Sequence, residues 1–91
     1  MKQDEAGIVA LEALAWIAGE DDLLQRFIQV AGISPDGLRQ SAANPDTQAG
    51  VLDFVLSDES LVLGFCEARG YAPETPARAR RALPGAPTEY Y

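Results

Sequence analysis

The 91-residue sequence predicts an all-α fold, a compact bundle of five to six short helices. Three observations lead to this fold class. Apolar residues recur at helical spacing along most of the chain. Helix-capping side chains stand before proline or acidic residues, and glycines stand where helices would end. No alternating run of β-branched residues lies between hairpin turns, so the signals for strands are weak.

Two helices are predicted in the first third of the chain. The segment from Glu5 to Ala18 is rich in alanine and leucine, and Gly19 ends it. The acidic run Glu20–Asp22 then starts a second helix, because carboxylates interact favourably with the positive end of the helix dipole. The second helix is expected to end at Gly32. Its apolar stripe comprises Leu23, Leu24, Phe27, Ile28 and Ala31.

Two further helices each begin with a capping side chain followed by proline and aspartate. Ser34–Asp36 predicts a short third helix that carries Leu38, and Asn44–Asp46 predicts a fourth. The fourth helix contains Val51–Leu56, which is apolar around nearly its whole circumference except at Asp53. This segment also resembles a buried strand, but the cap that precedes it favours a helix.

The last third of the chain predicts two more helices and a tail. Ser57–Glu59 starts the fifth helix, which Gly70 closes. Ala72–Glu74 predicts a sixth helix, from about Pro73 to Leu83. Two prolines and a glycine then end regular structure. We therefore predict a single helical domain over residues 4–83 and a flexible, Pro/Gly-rich C-terminal tail over residues 84–91.

The two parts of the sequence resemble each other at an offset of 38 residues. The identical pairs are Leu14 and Leu52, Leu23 and Leu61, Phe27 and Phe65, Gly32 and Gly70, and Pro35 and Pro73. These positions carry the apolar stripes and the helix ends. We therefore predict that the bundle is built from two similar helical halves, which must pack together to bury their stripes.

The residue types present argue against catalysis. The chain contains no histidine, which is the commonest general base and the commonest metal ligand. Its acidic clusters lack the spacing of a calcium loop, and no phosphate-binding loop or nucleophile–base pair is present. The lone Cys66 lies in an apolar stripe, where free cysteine is a small buried hydrophobe. We predict no enzymatic activity, no catalytic residue, no metal site and no cofactor.

The sequence also predicts a cytoplasmic protein that does not enter a membrane. Acidic residues follow Lys2 immediately, unlike a secretory signal. The longest weakly charged stretch, Ala6–Gly19, is shorter than the roughly 20 residues that span a bilayer.

Charge is distributed unevenly along the chain, whose net charge is −7. Residues 1–67 contain three basic and twelve acidic residues, whereas residues 68–91 contain four arginines and two acidic residues. Arg78, Arg80 and Arg81 lie in the sixth helix. They either balance a helix dipole and an acidic body, or form a docking patch for an acidic partner or a phosphate. The acidic body disfavours nucleic acid as a partner.

Trp16 lies in a first helix that is apolar on more than one face. Either this helix is central and packs on the similarly apolar fourth helix, or part of it is exposed for a partner or a second copy.

Three segments resemble a known family. They are Leu14–Gly19 followed by Leu23–Phe27, then Gly32–Arg39, and then Val51–Leu56 with Asp58 and Glu59. Together they are similar to a family of short alphaproteobacterial all-helical proteins of unknown function, over about residues 4–83. The resemblance implies a small helical cytoplasmic protein and a link to bacterial two-component signalling. It supplies no activity and no functional residue.

These observations predict a noncatalytic protein–protein interaction module with an adaptor or regulatory role. Its candidate partner-binding residues are an apolar strip near Trp16 and a rim formed by Arg78, Arg80 and Arg81. The partner is another protein or a second copy. One alternative is a weak regulatory nucleic-acid binder that uses the arginine-rich sixth helix. Another is a small homodimeric structural protein.

Overall fold

The computed structural model describes residues 1–85, which contain six α-helices joined by short turns. In chain order they are α1 (Gln3–Ala18), α2 (Asp21–Ala31), α3 (Pro35–Ser41), α4 (Pro45–Leu56), α5 (Glu59–Arg69) and α6 (Thr75–Arg81). No strand occurs within residues 1–85. The predicted all-α fold is confirmed. Residues 86–91 of the predicted flexible tail lie outside the described residues.

Side-chain caps fix the starts of three helices. The Ser34 hydroxyl accepts a hydrogen bond from the Gly37 amide at 3.0 Å, and the Asn44 side chain accepts one from the Asp46 amide at 2.8 Å. Asp58 caps α5 in the same way. Each cap satisfies a backbone donor that would otherwise lack a partner in the first turn, which stabilises a helix by about 1 kcal/mol.

Two glycines in the left-handed conformation end α2 and α5. Gly32 has a φ of 66° and Gly70 a φ of 75°. Each donates its amide to a carbonyl four residues earlier, that of Ile28 or of Cys66. Side chains other than glycine are strained in this backbone region, so both chain reversals depend on these residues.

The sixth helix begins later than the sequence predicts. Pro73 and Glu74 form a turn in which the Thr75 amide donates to the Ala72 carbonyl at 2.9 Å. The helix starts at Thr75, so the proline of its first turn is Pro76 rather than Pro73.

Helices α1 and α4 pack against each other at the centre of the bundle, and α6 packs against both. Helix α2 covers one side of this pair and α5 another. The largest fully buried side chains include Ile17, Leu52, Val55 and Phe65. None of the helices within residues 1–85 combines the length and the apolar character needed to span a bilayer.

The helix ends correspond at the predicted offset of 38 residues for the first two helices of each half. Helices α1 and α4 end at Ala18 and Leu56, and both ends of α2 match those of α5. The third helices differ by two residues, and α6 packs on α1 and α4 while α3 makes no comparable contact with either. The similarity of the halves as packed units stays a prediction.

Candidate functional site

Trp16 is half-buried between α1 and α5. Its ring centroid lies 5.9 Å from that of Phe65. A Cβ atom on Gly64 would lie only 3.1 Å from Trp16 Cζ2, so the indole packs directly against the α5 backbone. Much of this side chain therefore holds two helices together, and only its remaining edge is available to a partner.

A strip of exposed apolar side chains runs along α1 beside Trp16. Ile8 is 58% exposed and Leu11 is 42% exposed, and Ala15 follows one turn later. The spacing of these residues places them on one face of the helix. We call Ile8, Leu11 and Ala15 the α1 strip.

Arg80 is buried and binds within the fold. Its Nε atom donates to Asp53 Oδ1 at 2.7 Å, and its terminal nitrogens donate to the carbonyls of Pro84 at 3.3 Å and Gly85 at 3.4 Å. The guanidinium therefore ties α6 to α4 and to the segment that follows α6. These contacts leave Arg80 no role in an exposed rim.

The burial of Arg80 has a signal in the sequence. Pro76, Ala79, Arg80 and Leu83 are spaced i, i+3, i+4 and i+7, and all four are buried. This spacing defines one helix face. Arg80 lies on the apolar face of α6, and because it is charged, this buried face is not apparent from the apolar residues alone.

Arg78 and Arg81 lie on the exposed side of α6. They border a shallow depression of about 240 Å³ together with Met1 and Ala82. Among residues 1–85, no carboxylate lies within ion-pair distance of either guanidinium.

The four predicted partner-binding residues do not form one surface. The depression at Arg78 and Arg81 includes Met1, beside the start of α1, whereas Trp16 is near the end of that helix. At 1.5 Å per residue, about 20 Å of helix separates the two ends. Arg80 lies beneath the surface.

A larger groove than the depression at Arg78 and Arg81 lies between α2 and α4. It has a volume of about 520 Å³. Phe27 and Phe54 form its floor, with ring centroids 5.3 Å apart and an edge-to-face angle of 68°. Val30 stands at its edge and is 75% exposed, and the Arg26 guanidinium lies 5.8 Å from the Phe54 ring centroid. The remaining lining residues are Gln29, Ala31, Gly50, Asp53 and Ser57.

A second depression of about 290 Å³ continues this groove toward α3. The two share Phe27, Ala31 and Gly50. Together they follow α4 from Asp46 to Ser57, which is about 16 Å or three helical turns. We call the combined feature the α2–α4 groove. Sequence reasoning missed it, although the lone apolar Val30 outside the α2 stripe and Gly50 in mid-helix are visible signals.

Two titratable side chains outside the groove, the buried Cys66 and the partly buried Tyr71, have raised pKa values. Burial, and then the negative charge of Glu74, raise the pKa of the Cys66 thiol, whose Sγ lies 3.5 Å from the Ala72 carbonyl oxygen. The Tyr71 hydroxyl donates to Glu12, and this hydrogen bond raises the pKa of Tyr71. Neither group opens into the α2–α4 groove. Within residues 1–85, no three histidine, cysteine, aspartate or glutamate side chains are grouped as metal ligands.

Comparison with known families gives one match. A family model described as "Protein of unknown function (DUF3572)" matches residues 3–86. This confirms the resemblance to a family of unknown function, while the alphaproteobacterial source stays a prediction. No curated protein and no solved structure matches the chain.

Proposed function

Because the chain belongs to the DUF3572 family of proteins of unknown function, we propose its role from its surface: a noncatalytic module that binds another protein through the α2–α4 groove. The single observation that carries this proposal is the open groove of about 520 Å³ floored by Phe27 and Phe54. Its walls are two helices of the fold, so the site exists before a partner arrives.

The dimensions of the groove suit a helix of the partner. Three turns of α4 border it, and an amphipathic helix places apolar side chains at i, i+3, i+4 and i+7 over the same length. Phe27 and Phe54 are almost fully buried, so they give the groove a fixed apolar floor rather than side chains that insert into the partner. Val30, which is 75% exposed, offers further apolar area at the edge for a partner to cover.

The cellular setting that we propose is the bacterial cytoplasm, with a regulatory or adaptor role linked to signalling. Supporting features are the buried free thiol of Cys66, which suits a reducing compartment, and the family resemblance described above. Nucleic-acid binding has weaker support than the sequence suggests. Of the three arginines in α6, only Arg78 and Arg81 present their charge to solvent.

The test is affinity purification of the full chain from its native cell at endogenous level, read by mass spectrometry. The wild type is compared with Val30→Asp, which places a charge at the groove, and with Leu63→Asp, which places the same charge on α5. Both positions are exposed, so both variants are expected to fold.

We expect a protein partner that is recovered with the wild type and with Leu63→Asp and is lost with Val30→Asp. Equal recovery with all three baits would remove the groove from the proposal. Recovery of the chain alone would argue against a different protein as partner.

A second candidate function is self-association through the α1 strip. It is favoured by the exposure of Ile8 and Leu11 on adjacent turns of a central helix. Isologous packing of such a strip is a common route to a dimer. Sedimentation velocity over a range of concentrations tests it: a dimer that Ile8→Asp dissociates would support this function, and a monomer at every concentration would reject it.

A further inference from the structure

The glycines inside the helices of this fold differ in what surrounds them. A Cβ atom on Gly7 would lie 3.2 Å from the Gln48 side chain, and one on Gly37 would lie 3.1 Å from Ile33. Gly64 is closed off by Trp16 at a similar distance. At these three positions an added Cβ would press against a neighbouring side chain, which would have to shift. At Gly50 an added Cβ would have no packing partner within 4 Å among residues 1–85.

No packing contact within residues 1–85 therefore explains why position 50 is a glycine. It lies in the middle of α4, where glycine is less favourable than alanine because it gives up more backbone freedom on folding. Its backbone conformation is helical, so alanine would fit without strain. The remaining advantage of glycine is that another backbone can approach it closely.

The position of Gly50 indicates what kind of partner approaches its backbone. It is one of three residues shared by the two depressions that form the α2–α4 groove, so it lies at their junction. An added methyl group there would project into the space that the proposed partner occupies. Resting on the proposed function, we infer that the partner is a basic amphipathic helix that crosses α4 with its backbone against Gly50.

The basic character follows from the carboxylates on the exposed face of α4, of which Asp46 forms no ion pair within residues 1–85. Asp46 lies four residues before Gly50 and Asp53 three residues after it, so both carboxylates share its exposed face. Asp53 bonds Arg80 through one oxygen, and half of its side chain still faces solvent. The cation on the opposite wall, Arg26, lies against the Phe54 ring.

The net charge of −7 adds long-range attraction for a cationic partner and repulsion between two copies of this chain. The partner segment thus carries a small residue at the crossing point and lysine or arginine about one turn to either side. A second copy of this chain does not meet these requirements, because its basic helix α6 has Arg81 one turn after Ala77 but Glu74, not a cation, about one turn before it.

The experiment uses the full chain with a photo-crosslinking phenylalanine derivative at position 30, expressed in the native cell. Mass spectrometry of the adduct identifies the partner segment. The crosslinker is then combined with Gly50→Ala, with Gly50→Leu, or with Ala68→Leu, a control that places the same leucine side chain on the exposed face of α5. Melting temperatures are measured for each variant without the crosslinker.

We expect an adduct with a basic helical segment of a different protein. Gly50→Ala should lower the adduct yield at least about tenfold, since overpacking a close contact is costly. Gly50→Leu should abolish the adduct, and Ala68→Leu should leave it unchanged. Gly50→Ala should also raise the melting temperature by roughly 2–8 °C, because the free protein gains helix propensity.

The outcomes separate this inference from the function on which it rests. An adduct that persists in Gly50→Ala, an adduct with an acidic segment or with a second copy, or a lower melting temperature would overturn the inference alone. The absence of any adduct from position 30, when crosslinkers at positions 8 or 63 do capture a partner, would overturn both. A chain that captures nothing from any of the three positions would also contradict both.

Discussion

The ion pair between Arg80 and Asp53 predicts unequal costs for removing its two members. The Arg80 side chain is 8% exposed, whereas the Asp53 side chain is 51% exposed. Loss of the carboxylate leaves a buried cation with the Pro84 and Gly85 carbonyls as its remaining acceptors. Loss of the guanidinium leaves a carboxylate that water can reach, which costs much less.

The magnitudes follow from this difference in burial. Removing one member of a fully buried pair costs about 3–5 kcal/mol, and an exposed pair is worth about 0.2–1 kcal/mol. Asp53→Ala falls between these limits and gains roughly 0.5 kcal/mol of helix propensity, which gives a net loss of about 2 kcal/mol. Arg80→Met keeps most of the buried apolar stem and should cost about 1 kcal/mol or less.

Urea unfolding followed by circular dichroism at pH 7 measures both costs. Asp53→Ala should lower the midpoint by roughly 1–2 M, and Arg80→Met by clearly less. The double variant should be more stable than Asp53→Ala alone, because no buried charge is left unpaired. If Arg80→Met were as destabilising as Asp53→Ala, or if the two effects were additive, the assignment of Arg80 as the buried member would be refuted.

Three further predictions concern the interior of the bundle. Gly64→Ala should cost about 1 kcal/mol and shift the tryptophan fluorescence, because the new Cβ lies 3.1 Å from the Trp16 ring; higher stability with unchanged fluorescence would contradict this packing. The hydrogen bond to Glu12 raises the pKa of Tyr71 above its ordinary value of 10.0, so the free energy of unfolding should decrease as the pH rises above that value. Tyr71→Phe should flatten this alkaline decrease, and parallel pH profiles would count against the bond. Burial raises the pKa of Cys66, so a chromogenic disulfide reagent should react far more slowly with the native protein than with the protein in urea; equal rates would place the thiol at the surface.

Local chemistry explains why most helix boundaries can be read from the sequence. Ser34, Asn44 and Asp58 each satisfy a first-turn amide from a neighbouring position, and Gly32 and Gly70 adopt the conformation that ends a helix. These interactions involve residues close in sequence, so they need no knowledge of the tertiary fold. The sequence predicts the start of α6 about two residues too early, at Pro73, because Pro76 also fits a first turn and the closure of the turn before α6 decides between them.

The candidate site could not be read in the same way. Arg80 looks like its neighbours Arg78 and Arg81 until Asp53, 27 residues away, is placed opposite it. The apolar spacing from Pro76 to Leu83 indicates its burial, but only if the charge is set aside. A local pattern gives the face of a helix, and tertiary packing decides which face is covered.

The α2–α4 groove is even harder to predict from sequence patterns. Its floor joins Phe27 and Phe54, which the sequence assigns correctly to apolar stripes of two different helices. The open space beside them results from the distance between those helices at Gly50 and Val30. No periodicity encodes that distance, so the groove is visible only in the assembled bundle.

A map of backbone amide signals from the isotope-labelled chain, recorded with and without its purified partner, tests the central claim most directly. Binding through the α2–α4 groove predicts that the largest shifts lie at Val30, Gly50 and Phe54, while the signals around Leu63 stay in place. Shifts centred on Ile8 and Leu11, or on the exposed arginines of α6, would contradict it.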